Sequence, residues 1–187
     1  MPAAGTLCLT FDNMGRAREI AEGTASLMRL GIRPAGFRAP GGVRGKHTTA
    51  ILQSLGYRYD SSSETEADIA AADDFSVAPG MLAPGLAHIP WRHAMVDSIQ
   101  YLRHPVRPRT PAELEASWLA AIDRTAEARG TTTVVIHAFV SGVDDARFDV
   151  VRKVLTHARK RGDIEIVTAG ALAERVLSRQ HQEDQPC

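Results

Sequence analysis

The apolar positions Leu7, Cys8, Leu9 and Phe11 run straight into the polar pair Asp12-Asn13. An unbroken apolar run of this length predicts a strand buried on both faces, as in a parallel sheet covered by helices. Such sheets gather their chemistry at the C-terminal ends of the strands, so Asp12 stands where a catalytic carboxylate would stand. The competing reading is that Asp12 caps the following helix, the commoner duty of an aspartate at a strand-to-helix turn.

Helical spacing then takes over. Ala17, Ile20, Ala21, Thr24, Leu27 and Met28 predict a helix over 16–30, with Gly23 interrupting it so that it looks like two half-helices joined. Gly31 and Pro34 stop it, and Gly36-Phe37 reads as a short strand opening into the glycine-rich loop around Pro40. A helix over 46–55 ends at Gly56, before a strand over 57–60. Ser63 and Glu66 have capping-box spacing for a short helix toward Ala72. From Asp73 to Leu86 the periodicity is lost among prolines and glycines, predicting a connection with one short strand at 75–77.

A strand end follows at His88-Ile89-Pro90-Trp91, then a helical stretch carrying Met95, Val96, Ile99 and Tyr101. Thr110-Pro111-Ala112-Glu113 combines an N-cap threonine, a first-turn proline and a reciprocal glutamate. The helix it starts should run to Gly130 and turn Leu114, Trp118, Ala121, Ile122 and Thr125 inward. Residues 131–139 read as the clearest buried strand, with His137 near its end. Asp145 is placed to cap a helix to Arg161, Gly162 closes it, and a strand over 164–167 precedes a last helix to Arg179. Alternating strand and helix predicts an α/β fold with helices outside, in one domain over 1–179 followed by a polar tail over 180–187.

Length refines this picture. The 187 residues are enough for one substantial core but fall short of a full eight-unit barrel, which takes about 250 residues. Acidic and basic residues balance at 22 each, with no long basic run, so neither nucleic acid nor an anionic membrane surface is implied as partner. Small polar or neutral substrates fit better. No apolar stretch approaches the roughly 20 residues of a membrane span, and Met1–Gly5 lacks a basic start followed by an apolar core. With two cysteines, one at each end of the chain, these features predict a cytoplasmic protein without a disulfide framework.

Four pieces recur in a familiar order. Thr10-Phe11-Asp12-Asn13 resembles the Thr-Phe-Asp-Asp signature of the polysaccharide deacetylases, the NodB homology domain. Phe37-Arg38-Ala39-Pro40 is similar to their Arg-x-Pro motif, Leu55-Gly56-Tyr57 with Tyr59-Asp60-Ser61-Ser62 to the strand after it, and Val135-Ile136-His137 to the strand that presents their catalytic histidine. The resemblance implies a distorted (β/α) barrel and metal-assisted hydrolysis of an N-acetyl group on a carbohydrate. It makes Asp12 the base and His137 the acid, with Arg38 beside Pro40 supporting the base, Trp91 a wall for a sugar ring, and Asp97 a neighbour of the site. Outside the resemblance, Trp91 reads as core, Arg38 as an ordinary ion pair and His137 as a hydrogen-bonded strand-end residue.

The sequence departs from that pattern where the divalent metal (zinc, cobalt or manganese) should bind. The second aspartate is Asn13, an uncharged and poorer ligand, and no two of the seven histidines are four apart, so the family's His-x-x-x-His pair is absent. A metal would need Asp12, Asn13 and a displaced histidine such as His47 or His93. Only one helix separates Asn13 from Arg38, which points to the loss of a strand-helix-strand segment near Gly23 and an incomplete barrel with an open edge. Such an edge exposes unpaired backbone and invites homo-oligomerisation. The departures leave two readings: a carbohydrate N-deacetylase of impaired activity, or an inert remnant that binds a glycan or a partner.

Overall fold

A computed structural model of the chain describes residues 17–70 and 77–183. The predicted strand of Leu7–Phe11, with Asp12 and Asn13 at its end, lies outside the described residues. The described chain forms two compact units: one built from residues 17–68, Pro79–Pro90 and 167–183, the other from residues 69–70, 77–78 and Trp91–Ile166.

The first unit is organised on a four-stranded sheet in the order β1-β2-β4-β3, made of β1 (Gly36–Phe37), β2 (Tyr59–Asp60), β4 (Leu86–His88) and β3 (Gly80–Ala83). β1, β2 and β4 are parallel, while β3 returns antiparallel to β4 through a turn at Pro84-Gly85, where Gly85 takes φ 74°. Among the described residues the sheet is open, with β1 and β3 at its edges. Successive strand residues face opposite ways. Phe37 and Leu86 therefore join Ile20 of α1 (Ala17–Arg29), Leu52 of α2 (Thr48–Ser54) and Tyr57 in one core, while Tyr59, Ala87 and Ile89 pack on Ala173 and Leu177 of α7 (Ala169–Glu183). Gly36 pairs with Tyr59 across the sheet, and a Cβ on Gly36 would fall 1.9 Å from the Tyr59 ring. Only glycine leaves room for that ring.

The second unit packs α5 (Pro111–Glu127) against α6 (Asp145–Arg161), with α4 (Asp97–Leu102) beside them. Leu114, Trp118, Ala121 and Ile122 from α5 meet Val150, Val154 and Ala158 from α6 around Met95, Tyr101 and Val140. Every inner-face residue expected on α5 is buried, and the Thr110–Glu113 capping box forms as its spacing predicts. Trp118 Nε1 donates to the Ala94 carbonyl at 2.9 Å, which lets an indole sit in an apolar core without an orphaned donor.

Several local expectations are corrected. Residues 131–139 form no strand among the described residues. Among the described residues they make one isolated bridge, Val96 to Val135, and Ile136 is 42 % exposed. Residues 164–167 form no strand among the described residues either, although Ile164 packs on the second unit's core. The stretch 73–86, expected to be a connection with one short strand at 75–77, holds most of the β3–β4 hairpin, since its proline and glycine make a turn; residues 75 and 76 of the expected strand lie outside the described residues. The cap of α6 is Asp144, whose carboxylate accepts from Arg147 N at 3.0 Å, not Asp145. The short helix α3 (Glu66–Ala70), expected to be led by Ser63 and Glu66, is led by Thr65, whose N and Oγ1 donate to Asp68 Oδ2 while Asp68 N donates to Thr65 Oγ1. α1 runs unbroken through Gly23, and α7 continues past Arg179 to Glu183.

Candidate functional site

In the second unit the bridge between Val96 and Val135 brings two segments together whose next residues carry the chemistry. Asp97, the first residue of α4, is fully buried. Its Oδ1 accepts from Ser98 N at 2.6 Å and from His137 Nδ1 at 2.5 Å. Its Oδ2 accepts from the backbone N of His137 at 2.9 Å and from Ser141 Oγ at 2.7 Å. A carboxylate can leave water only when its lone pairs are taken, and here two donors serve each oxygen.

This arrangement fixes the imidazole. A carboxylate oxygen only accepts, so Nδ1 carries the proton and Nε2 is the nitrogen left to accept one, on a side chain 31 % exposed. Such a ring can take a proton at Nε2 and hand it on, with Asp97 balancing the charge while it is held. Phe139 lies against it, ring centroids 5.2 Å apart and edge to face. Close by, the Tyr101 hydroxyl is buried without a hydrogen-bond partner and is pushed up to about 12 by desolvation, while the Arg147 guanidinium sits 4.7 Å from its ring centroid.

The first unit holds a second polar cluster at the C-terminal end of its parallel strands. Asp60 ends β2 fully buried, where Arg44 Nη1 reaches its Oδ2 at 3.0 Å and Ser62 donates to its Oδ1 through Oγ at 2.6 Å and through N at 2.9 Å. Burial pushes the Asp60 carboxyl up to about 6, with Ser62 and Arg44 pulling against it. Arg38 donates from Nη2 to Ser61 Oγ at 2.7 Å and from Nε to the Ser61 carbonyl at 3.2 Å. Pro40 opens a 3₁₀ turn whose Gly41 and Gly42 take φ 67° and 86°, positions that L side chains rarely adopt. His88, paired with Asp60 across the strands, has Nε2 2.9 Å from the Ser62 carbonyl.

Of the residues singled out from sequence, Asp97 and His137 are brought into direct contact. Arg38 and Pro40 belong to the other unit's cluster, and Asp12 and Asn13 lie outside the described residues. Trp91 is 7 % exposed, with its ring centroid 5.8 Å from that of His93. Ser141 and Arg44 were not foreseen. Nothing in the run His137-Ala138-Phe139-Val140-Ser141 marks the serine as a carboxylate's partner, and Arg44 looks like one of many surface arginines.

No group of three or more His, Cys, Asp or Glu among the described residues could hold a metal ion. No described helix is long and apolar enough to cross a membrane.

No family model and no curated protein matches the chain. Solved structures do. A protein from Mycobacterium smegmatis assigned as a polysaccharide deacetylase superposes with a TM-score of 0.72 at 23% identity, over 88% of this chain and 57% of that one. One from Pseudomonas aeruginosa, likewise assigned, superposes with a TM-score of 0.71 at 18% identity, over 92% of this chain and 57% of that one. The chain thus has the fold of the polysaccharide deacetylases, an α/β architecture whose sheet is open among the described residues, and spans a little over half the length of either structure.

Proposed function

We propose that the chain is a hydrolase of the polysaccharide deacetylase kind, acting on N-acetyl groups of a carbohydrate with reduced activity. The observation that carries this is the part-exposed His137 imidazole held through Nδ1 by buried Asp97. In this reading Nε2 donates a proton to the departing amine nitrogen, and Asp97 stabilises the imidazolium that exists before the transfer. Asp12 takes the proton of the attacking water. A divalent ion, where bound, would polarise the amide carbonyl. The reading takes 1–179 as one deacetylase-like domain that has lost a segment near Gly23, and expects association through the open edge.

A second reading is favoured by the donor set: with Asn13 in the signature and no histidine pair, the chain is an inert glycan- or partner-binding remnant. Acetate release from N-acetylated oligosaccharides, with zinc, cobalt or manganese added, decides between the two. Release that depends on both Asp12 and His137 supports the hydrolase. No release with any of the three metals, together with no metal bound near neutral pH, removes it and leaves the remnant.

A further inference from the structure

The Asp97 carboxylate has places for about four donors, and three of them are filled without Ser141. Ser98 N and His137 N are backbone groups that need an acceptor once the chain folds over them, and His137 Nδ1 is the ring nitrogen already described. The fourth donor is Ser141 Oγ, 2.7 Å from Oδ2 on a residue with no exposure to solvent. An alanine in its place would leave no donor unpaired, so the hydroxyl is there for the acceptor's sake. The backbone delivers it: Val140 N and Ser141 N both donate to the His137 carbonyl at 3.0 Å, and a Cβ on Gly142 would meet the Ala138 carbonyl at 2.5 Å. Ser141 thus bonds the His137 carbonyl through its N–H and shares Asp97 Oδ2 with the His137 N–H.

We infer that Ser141 is a positioning residue whose hydroxyl takes up part of the Asp97 charge and so sets how strongly that carboxylate draws on the proton at His137 Nδ1. The effect on the ring stands on the hydrogen bonds alone, while the effect on rate rests on the deacetylase reading above. A hydrogen bond to an ionised carboxylate favours the ionised form. Without the Ser141 O–H, Asp97 is a stronger base and pulls harder on Nδ1–H. The ring then grips a proton at Nε2 more tightly, which makes it a poorer acid. The other charged or titratable groups near this carboxylate are Tyr101 on α4, Asp144 at the cap of α6 and Arg147 in its first turn. None of them donates to Asp97 among the described residues: the Tyr101 hydroxyl has no partner, and Arg147 turns to Asp144 and the Val140 carbonyl.

The test uses the full chain with nitrogen-15 in its histidine rings and two variants. Ser141→Ala removes the donor and leaves a small space that a water can enter. Ser141→Cys nearly fills that space with a much weaker donor. The His137 Nδ1–H proton resonance should move downfield in the cysteine variant, and no further than that in the alanine variant. With triacetylchitotriose and added zinc, kcat for acetate release should fall about fivefold in Ser141→Cys while KM stays the same. A wild-type Nδ1–H resonance in Ser141→Cys overturns the inference. So does a cysteine variant that matches the wild type where the alanine variant does not, since the serine would then only fill space. A shifted resonance with no acetate released even by the wild type sinks the hydrolase reading and leaves the effect on the ring standing. Acetate release with wild-type kcat in both variants sinks only this inference.

Discussion

His137 Nδ1 lies 2.5 Å from Asp97 Oδ1, and the same carboxylate also accepts the backbone N–H of His137 through Oδ2 at 2.9 Å. One buried group therefore holds both the ring and the backbone of the residue that carries the proposed proton transfer. Asp97→Asn keeps the shape but replaces one acceptor with an amide nitrogen that faces donors. It should destabilise the chain by about 1–3 kcal/mol in urea unfolding, as expected for leaving buried donors unpaired. Acetate release should fall on the order of 10²-fold or more, chiefly in kcat, as for loss of a general acid. A variant with wild-type kcat would mean that the proton comes from elsewhere.

Asp60 gives the first unit a pH dependence of defined sign. Its folded pKa, raised to about 6 by burial, lies above the ordinary 3.8, so the folded state binds the proton more tightly than the unfolded chain. This contribution is fully present below about pH 4, is lost as pH rises through about 6, and amounts to something on the order of 3 kcal/mol. Asp60→Asn should flatten that part of the stability profile. Above about pH 6, where Asp60 is ionised, the substitution also takes from Arg44, whose side chain is 8 % exposed, its charged partner, a loss confined to that part of the range. Urea midpoints from pH 4 to 8 read both effects, and parallel profiles for the two proteins would contradict the assignment to Asp60.

Gly36→Ala should cost about 1–3 kcal/mol through overpacking, since the new methyl lands in the space of the buried Tyr59 ring. Trimming the ring in Gly36→Ala/Tyr59→Leu should recover part of the loss. Thermal unfolding of the pair checks this: if the double variant is less stable than the sum of the singles, the clash is not the cause.

Trp118 separates packing from hydrogen bonding in the second unit. Trp118→Phe keeps much of the apolar volume but orphans the Ala94 carbonyl, for about 1–2 kcal/mol. Trp118→Ala opens a cavity between α5 and α6 for about 3–5 kcal/mol. Similar losses for the two in guanidinium unfolding would show that the indole N–H, not the ring, dominates.

The sequence by itself determined what short-range physics governs. Thr110 and Glu113 are three apart, and the apolar spacing over Leu114–Thr125 names its own buried face, so the start and inner face of α5 were legible, while its end falls at Glu127, short of the expected Gly130. Gly31, Gly56 and Gly162 marked the ends of helices because each takes a positive φ that an L side chain resists. The four motif pieces likewise pointed to the fold that solved structures share with this chain. What only tertiary structure decided are the pairings between residues far apart along the chain. Val134–Ile136 has the composition of a buried strand, yet a strand needs partners on its edges, and among the described residues a single bridge forms. Asp97 meets His137 across 40 positions and Arg44 meets Asp60 across 16. No local pattern encodes either meeting, because the buried carboxylates are stabilised by donors that the folded backbone, rather than sequence neighbours, carries to them.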